Sequence, residues 1–266
     1  MPFPSTSAET PLGEYLARAG GYFHAALEPK QDNFGTSIYT SKPLKAGTKV
    51  VNCPFSLAVT PTLVRQCIPT LLLPTCPSSS RQSRQPNHEL MTLYLCLHTF
   101  PSSVAERAAG LDLQHHVYVD HLPTSDAMRT TLYFAPAERE LLRGSNLFGA
   151  TEEREQGWRD EWEEVRSWVS DSEIRDALSW EKWLWACTIL SSRAFPSSLI
   201  DGDKENSTPV LFPGIDMLNH RPTSKVTWSS DVHMEAATSD TGASGSLTIV
   251  LDEDVAAGTF PTRPPA

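Results

Sequence analysis

A short apolar stretch, residues 211–220 (LFPGIDMLNH), ends in the side chains of this sequence that are best suited to chemistry. Asp216, Asn219 and His220 supply a carboxylate, an amide and an imidazole close together in the chain. These groups offer hydrogen-bond donors, acceptors and a ring nitrogen, so they could hold a polar ligand. On composition alone, the favoured interpretation is a turn with a capping asparagine and a hydrogen-bonded histidine.

A second group of polar side chains surrounds Asp120, where His115, His116 and His121 lie close in sequence. Histidine and carboxylate ligands can bind a metal ion. The neighbouring residues are aromatic and aliphatic, and the helical His-Glu-x-x-His spacing does not occur. We interpret these histidines as core residues and predict no metal site.

Several common catalytic motifs do not occur in the sequence. It has no Gly-x-Gly-x-x-Gly fingerprint, no Gly-Lys-Ser/Thr phosphate loop and no Gly-x-Ser-x-Gly elbow. This argues against an enzyme that uses a nicotinamide cofactor or a nucleoside triphosphate. The five cysteines are scattered, with no Cys-x-x-Cys pair, which argues against a zinc cluster and a disulfide framework.

The composition is that of an acidic globular protein. The 266 residues have a net charge of −10, which argues against a nucleic-acid partner. An acidic surface would suit lysine-rich partners, although many proteins are acidic for solubility alone. The N-terminus lacks a secretory signal, and no apolar run is long enough to span a membrane. We expect a protein of the cytoplasm or the nucleus without a membrane partner.

The elements that must position the chemical groups follow the order strands, helices, strands. Hydrophobic residues recur at helical spacing in 88–100, 160–168 and 180–195, and the last of these helices should end at Pro196. Residues 74–86 are rich in Ser, Arg, Gln and Pro, which is typical of an exposed linker. We therefore expect an α+β fold with helices inserted into a system of short strands. The predicted extended segments are 37–40, 49–51, 57–60, 225–228 and 246–251.

The motif Asp216-Met217-Leu218-Asn219-His220 resembles the cofactor-binding motif of a known family. That family is the SET-domain protein methyltransferases of the Rubisco large-subunit lysine methyltransferase class, in the fungal-type branch. Other similar pieces occur in the order that the family shows, from about residue 33 to about residue 258. They are the opening strand pair in 35–60, His121-Leu122-Pro123, the segment 141–147, Ser192-Arg193-Ala194-Phe195 and Val226-Thr227-Trp228.

The resemblance implies a fold and a division of the chain. The fold would be a SET-type β-core of short strands interrupted by a helical insertion. The parts would be an N-terminal extension (1–32), the SET N-terminal part (33–70), a linker and helical insertion (71–190), the SET C-terminal part (191–258) and a tail (259–266).

The resemblance also implies a reaction, in which a methyl group passes from S-adenosylmethionine to a side-chain nitrogen of a protein substrate. Lysine is the favoured target, although some relatives act on histidine. Asn219 and His220 would hold the cofactor, and Asp216 would brace their turn. Gly35 and Ile38 are further candidates for the cofactor face. We expect the turn at 216–220 to pack against the opening strands so that a cofactor pocket forms.

Arg193 has two interpretations. By resemblance it would lie near the carboxylate of the cofactor or near the motif, where its planar fork of donors suits a carboxylate. An arginine at the end of a helix, opposing the negative end of the helix dipole, explains the same position equally well.

The sequence departs from the family pattern in two places. Thr36 and Ser37 stand where the family has Arg-Gly. The family also continues into a strand whose tyrosine lines the lysine channel, whereas here a proline-rich segment, 261–266, follows Phe260, and no tyrosine follows Tyr133. We expect a C-terminally truncated chain with no assignable catalytic residue. The alternatives are a catalytically inactive SET-like module that binds a protein partner, and an unrelated helical scaffold.

Overall fold

The structure is a computed structural model of the chain. It describes residues 11–32, 35–72, 87–101, 104, 111–220, 226–232, 245–259 and 262–263. The predicted linker at 74–86 lies outside these residues.

The described helices are mostly short, and the longest is α6. They are α1 (Pro11–Arg18), α2 (Pro61–Cys67), α3 (Asn87–Leu97), α4 (His116–Val119), α5 (Pro136–Glu140), α6 (Asn146–Trp168), α7 (Ser172–Ala177), α8 (Trp180–Arg193) and α9 (Ser198–Asp201).

The described strands have between two and seven residues. They are β1 (Tyr22–Phe23), β2 (Leu27–Asp32), β3 (Gly35–Thr40), β4 (Lys49–Pro54), β5 (Phe195–Pro196), β6 (Pro209–Val210), β7 (Asn219–His220), β8 (Val226–Val232), β9 (Gly245–Leu251) and β10 (Thr262–Arg263).

The chain divides into two compact units, one of which is formed by two separate segments of the sequence. The strand unit comprises Met1–Thr60 and Arg193–Ala266, and the helical unit comprises Pro61–Ser192. Helices therefore interrupt a unit built of short strands, and the predicted α+β class is confirmed. The boundaries of the five predicted parts stay predictions.

The main sheet of the strand unit is antiparallel, with the order β1-β4-β9-β8. Val51 of β4 and Trp228 of β8 both lie opposite Ile249 of β9. Three two-stranded pairs accompany this sheet: β2 with β3 and β5 with β6 are antiparallel, whereas β7 with β10 is parallel. The β-branched residues of β4 and β9 favour extended structure. Consecutive residues of both strands are buried, so these two strands are covered on both faces.

The core of the strand unit contains three aromatic side chains in contact, all from the sequence after the helical unit. The ring of Phe195 lies 5.6 Å from that of Phe212 and 5.3 Å from that of Trp228, with near-perpendicular planes. Edge-to-face packing of this kind adds about 1 kcal/mol per pair beyond the burial of apolar area. Val50, Val51, Leu247 and Ile249 belong to the same core and are fully buried.

The helical unit is built around α3, which is buried on all sides. Leu90, Leu93 and Tyr94 have no exposed surface, as expected for a helix at the centre of a bundle. In α6, Trp158, Val165 and Trp168 are buried at helical spacing. These two helices and α8 confirm the helices that the hydrophobic periodicity predicts.

The helix ends differ from the predictions. α6 begins at Asn146, well before residue 160, because its charged first half carries too few apolar residues to show the periodicity. α8 ends at Arg193 because Phe195 and Pro196 pair with Val210 and Pro209 instead.

Other segments also fold differently from the sequence prediction. Residues Phe55–Leu57 form a 3₁₀ turn, so the segment predicted as extended from residue 57 begins with a helical turn. The N-terminal segment, for which no element was predicted, contains α1, β1 and β2. None of the described helices has the length and hydropathy needed to cross a membrane.

Candidate functional site

The stretch 211–220 is anchored to the opening strands at its first residue. Leu211 and Val59 form an antiparallel bridge, in which the Val59 N–H donates to the Leu211 carbonyl at 2.9 Å and the Leu211 N–H donates to Val59 at 3.1 Å. Val59 lies shortly after β4, so this bridge ties the stretch to the main sheet.

Gly214 shapes the turn that follows. Its φ of +84° lies in the left-handed region, where a side chain is disfavoured. A Cβ atom at this position would lie 3.0 Å from Leu16 Cδ1 and 3.5 Å from Val51 Cγ1. The glycine therefore allows both the backbone conformation and the close approach of the turn to α1 and β4.

The turn packs its apolar side chains into the core of the strand unit. Ile215 and Leu218 are buried in the same cluster as Ile38 and Val51. Helical-turn hydrogen bonds fix the backbone, with the Ile215 N–H donating to Phe212 at 3.1 Å and the Leu218 N–H donating to Ile215 at 3.2 Å. The turn therefore packs against the opening strands, whereas the cofactor pocket expected there stays a prediction.

Arg193 and Asp216, two of the predicted site residues, are in direct contact. Arg193 Nη1 donates to the backbone carbonyl of Asp216 at 2.8 Å and to Asp216 Oδ2 at 3.4 Å. The Asp216 side chain is fully buried, while that of Arg193 is 23% exposed. A buried carboxylate is costly unless it is paired and hydrogen-bonded, so the guanidinium stabilises the turn.

Two further titratable groups were missed by the sequence analysis: Cys53 lies within electrostatic reach of Asp216, and Tyr15 lies within electrostatic reach of Cys53. Burial raises the pKa of the Cys53 thiol, and the nearby Asp216 charge raises it further. Burial, with a smaller contribution from Cys53, raises the pKa of the Tyr15 hydroxyl. Leu12 and Leu16, which flank Tyr15 at i,i+4 spacing in α1, are the sequence signal that could have revealed this helix.

Asn219 and His220 form β7 at the end of the turn. This strand pairs in parallel with β10, so that Asn219 lies opposite Thr262 and His220 lies opposite Arg263. The structure therefore brings the predicted cofactor motif next to a part of the predicted tail.

Gly35 and Ile38 both lie in β3, where Gly35 is opposite Asp32 and Ile38 is opposite Pro29. The Ile38 side chain is 1% exposed and packs in the core with Ile215. Any contact of Ile38 with a ligand would therefore use its backbone atoms.

The histidines near Asp120 belong to the helical unit. His115 is fully buried, and its Nδ1 lies 2.6 Å from the Tyr94 hydroxyl. His121 Nδ1 lies 2.6 Å from the Val117 carbonyl. Both contacts lie within the helical unit, and His121 Nε2 is buried without a hydrogen-bond partner among the described residues.

A cavity of about 380 Å³ also lies in the helical unit, lined by His98, Asp120, Lys182 and Trp185 among others. It contains none of the predicted site residues. Trp185 Nε1 donates to the Pro123 carbonyl at 2.8 Å beside it.

Comparison with known proteins identifies two yeast relatives, although no family model matches the chain. Ribosomal lysine N-methyltransferase set10 of Schizosaccharomyces pombe is 29% identical over 212 residues, which cover 79% of this chain and 35% of that protein. Ribosomal lysine N-methyltransferase 1 of Saccharomyces cerevisiae is 26% identical over 148 residues, covering 42% of this chain and 24% of that protein. The chain thus aligns with about a third or less of each relative.

Solved structures share the fold. The SET domain of LSMT bound to lysine and AdoHcy matches with a TM-score of 0.71 at 18% identity, covering 95% of this chain and 52% of that chain. Rubisco LSMT bound to AdoMet matches with a TM-score of 0.65 at 18% identity, covering 95% and 51%. The chain has the SET-domain fold and spans about half the length of these structures. The predicted resemblance to SET-domain methyltransferases of the Rubisco class is confirmed.

Proposed function

We propose that this chain transfers a methyl group from S-adenosylmethionine to a side-chain nitrogen of a protein substrate, with lysine as the favoured target. The observation that carries the proposal is the turn at 211–220. Arg193 and Asp216 brace it, Leu211 ties it to the opening strands, and it leads directly into Asn219 and His220.

The relatives support the reaction class. Two are named ribosomal lysine N-methyltransferases. Structures with the same fold hold AdoMet, or AdoHcy together with lysine or methyllysine. A ribosomal protein rich in lysine is therefore the substrate class to test first, in the cytoplasm or the nucleus.

The residues around the turn fit a polar, charged cofactor. Asn219 and His220 would hold it through backbone and side-chain hydrogen bonds, and Gly35 and Ile38 would contribute backbone groups. Asp216 would act as a brace, since its carboxylate is fully buried and already bonded to Arg193. Arg193 Nη1 is engaged with Asp216, so any contact of Arg193 with the carboxylate of the cofactor would use its other donors.

When bound, S-adenosylmethionine supplies an electrophilic methyl group. The contribution of the protein is then to align the amine of the target, to exclude water and to favour its neutral form. A lysine amine has an ordinary pKa of about 10.4, and burial beside a positive charge lowers that pKa, so the reactive neutral form becomes accessible. We assign no residue of this chain to the contact with the amine.

Two measurements on the purified chain test the proposal. Calorimetric titration with S-adenosylmethionine should give saturable binding at one site. Incubation with radiolabelled cofactor and purified ribosomal proteins should label a protein, and mass spectrometry should locate the methyl group on lysine. Absence of cofactor binding would contradict the proposal, whereas binding without methyl transfer would favour the inactive protein-binding module.

Matched asparagine variants show whether the turn is the site. Asn219→Ala should weaken cofactor binding by about fivefold, because about 1 kcal/mol is typical of one lost hydrogen bond. Asn206→Ala is the control, since Asn206 is exposed in a loop of the same unit and bonds only to Asp203 among the described contacts. Equal affinities for the two variants would exclude Asn219 from the site.

A further inference from the structure

Three residues with different ligand atoms meet in the helical unit. His88 comes from α3, Glu161 from α6 and Cys187 from α8. One nitrogen, one carboxylate oxygen and one sulfur lie within 4.8 Å of one another. His88 Nδ1 and Glu161 Oε2 are 3.4 Å apart. No sequence motif links these residues, because each lies on a different helix.

These distances suit a tetrahedral metal site. Metal–ligand bonds of about 2.0–2.3 Å place the ligand atoms of such a site about 3.3–3.8 Å apart. The His88–Glu161 distance already lies in this range, and modest side-chain rotation would close the wider separation. The ligands come from three rigid helices, which is how metal sites in helical bundles are built.

The ligand atoms are shielded from water. The side chain of Glu161 is 17% exposed and that of His88 is 28% exposed, yet Glu161 Oε2 and His88 Nδ1 are themselves buried. Cys187 has no exposed surface. Such a dry environment strengthens the attraction between a cation and negatively charged ligands.

The surroundings favour positive charge. Glu89 of α3 is 4% exposed and lies close enough to influence Cys187. Glu161 is a second acidic group beside Cys187. Thr92 Oγ1, 3.9 Å from Cys187 Sγ, places a hydroxyl beside the sulfur. A divalent cation would offset this concentration of acidic groups.

We propose that His88, Glu161 and Cys187 bind one divalent transition-metal ion and thereby join α3, α6 and α8. On binding, the Cys187 thiol releases its proton to solvent and the thiolate coordinates the ion. Zn²⁺ accepts this combination of nitrogen, oxygen and sulfur ligands, whereas Mg²⁺ and Ca²⁺ prefer oxygen alone. Three protein ligands leave a fourth position for water.

Cobalt is the probe for the test, because Co²⁺ replaces Zn²⁺ and a cobalt–thiolate bond absorbs light. The purified full chain is stripped with a chelator and titrated with Co²⁺. The expected result is one ion per chain, a charge-transfer band that saturates at this ratio, and displacement of the band by Zn²⁺. The thermal midpoint should rise when Zn²⁺ is added, because the ion binds the folded state.

Variants identify the ligands. Cys187→Ser should abolish the charge-transfer band, and Glu161→Gln should weaken Co²⁺ binding at least tenfold. Cys67→Ser is the control, because Cys67 is a buried thiol of the same unit that lies in α2 and accepts from Gln114 Nε2 at 3.9 Å. This variant should keep the band.

The wild-type titration decides the proposal even if a variant does not fold. Failure of the stripped wild-type chain to bind Co²⁺ at a one-to-one ratio would mean that the three side chains form only an ion pair beside a buried thiol. A band that survives in Cys187→Ser would place the ion elsewhere. Neither readout requires methyl transfer, so these experiments test the metal site independently of the proposed function.

Discussion

At the scale of single residues, the contact between Arg193 and Asp216 connects the end of α8 to the turn that contains the predicted cofactor motif. Two segments that are separate in the chain meet there through a guanidinium and a fully buried carboxylate. Removal of one partner of a buried pair leaves an uncompensated charge, which is usually more costly than removal of both.

This contact makes a prediction about stability. Arg193→Met and Asp216→Asn should each lower the free energy of unfolding by about 2 kcal/mol. This loss is smaller than that expected for a fully buried pair, because Arg193 is partly exposed and water screens its charge. The double variant should lose less than the sum of the two. Urea unfolding of all four proteins measures the coupling.

The exposed pair of Arg18 and Glu14, 3.2 Å apart, provides the control for that cycle. Arg18→Met should change the unfolding free energy little, because water screens surface ion pairs. Additive effects of the Arg193 and Asp216 variants would show that the two side chains do not stabilise each other.

At the scale of elements, the end of α3 carries a histidine in an unusual environment. His98 directly follows the helix, and its Nδ1 lies 2.8 Å from the Tyr94 carbonyl. Its ring lies 4.7 Å from that of His116. Burial lowers the pKa of His98 to about 3, and the two nearby histidines, His116 and His115, also lower it.

The depressed pKa of His98 predicts a pH dependence. The unfolded chain protonates this histidine below about pH 6.5, while the folded chain keeps it neutral to about pH 3. Stability from His98 is therefore present at neutral pH and falls as the pH is lowered. Between pH 7.5 and pH 5.5 the loss should be about 1 kcal/mol. Urea unfolding at both pH values measures it.

His98→Gln is the variant that isolates this effect, since glutamine cannot take up a proton in this range. The free energy of unfolding of this variant should decline less between the two pH values than that of the wild type. An equal decline in both proteins would assign the pH dependence to other groups.

The elements that could be predicted are those whose apolar residues repeat over several turns. α3 and α8 fall where the periodicity places them, because each buries most of its surface. Two-residue strands such as β5 and β7 have no repeat to detect. They exist because distant segments supply their partners, which sequence spacing does not reveal.

In the candidate site too, contacts between residues that are distant in the chain could not be predicted from the sequence. The motif around Asp216 and Asn219 could be found by resemblance, but Tyr15 and Cys53 could not, since they reach this region through tertiary packing. The meeting of His88, Glu161 and Cys187 is likewise invisible in the sequence, because each residue lies on a separate helix.

At the scale of the whole molecule, the net charge of −10 bears on the choice of partner. A negative protein attracts lysine-rich proteins over distances comparable with the Debye length, about 10 Å at 0.1 M salt. If the chain methylates such a protein, the KM for the protein substrate should rise several-fold between 0.05 M and 0.3 M salt. Initial rates of radiolabel transfer give this value.

The affinity for S-adenosylmethionine should change much less over the same range, because a small cofactor in a pocket is screened less by salt. Parallel calorimetric titrations of the cofactor therefore serve as the control. A KM for the protein substrate that stays constant with salt would show that the acidic surface does not guide the partner.

The discontinuous strand unit also bears on how the chain folds as it leaves the ribosome. β4 emerges early, but its neighbour β9 is made only after the whole of Pro61–Ser192 has been synthesised. The local contacts of the helical unit can form in the meantime, whereas the open edge of β4 must wait for a distant partner. Until translation reaches residues 245–251, the nascent first segment exposes a strand edge open to wrong pairing, and chaperones would be expected to protect it.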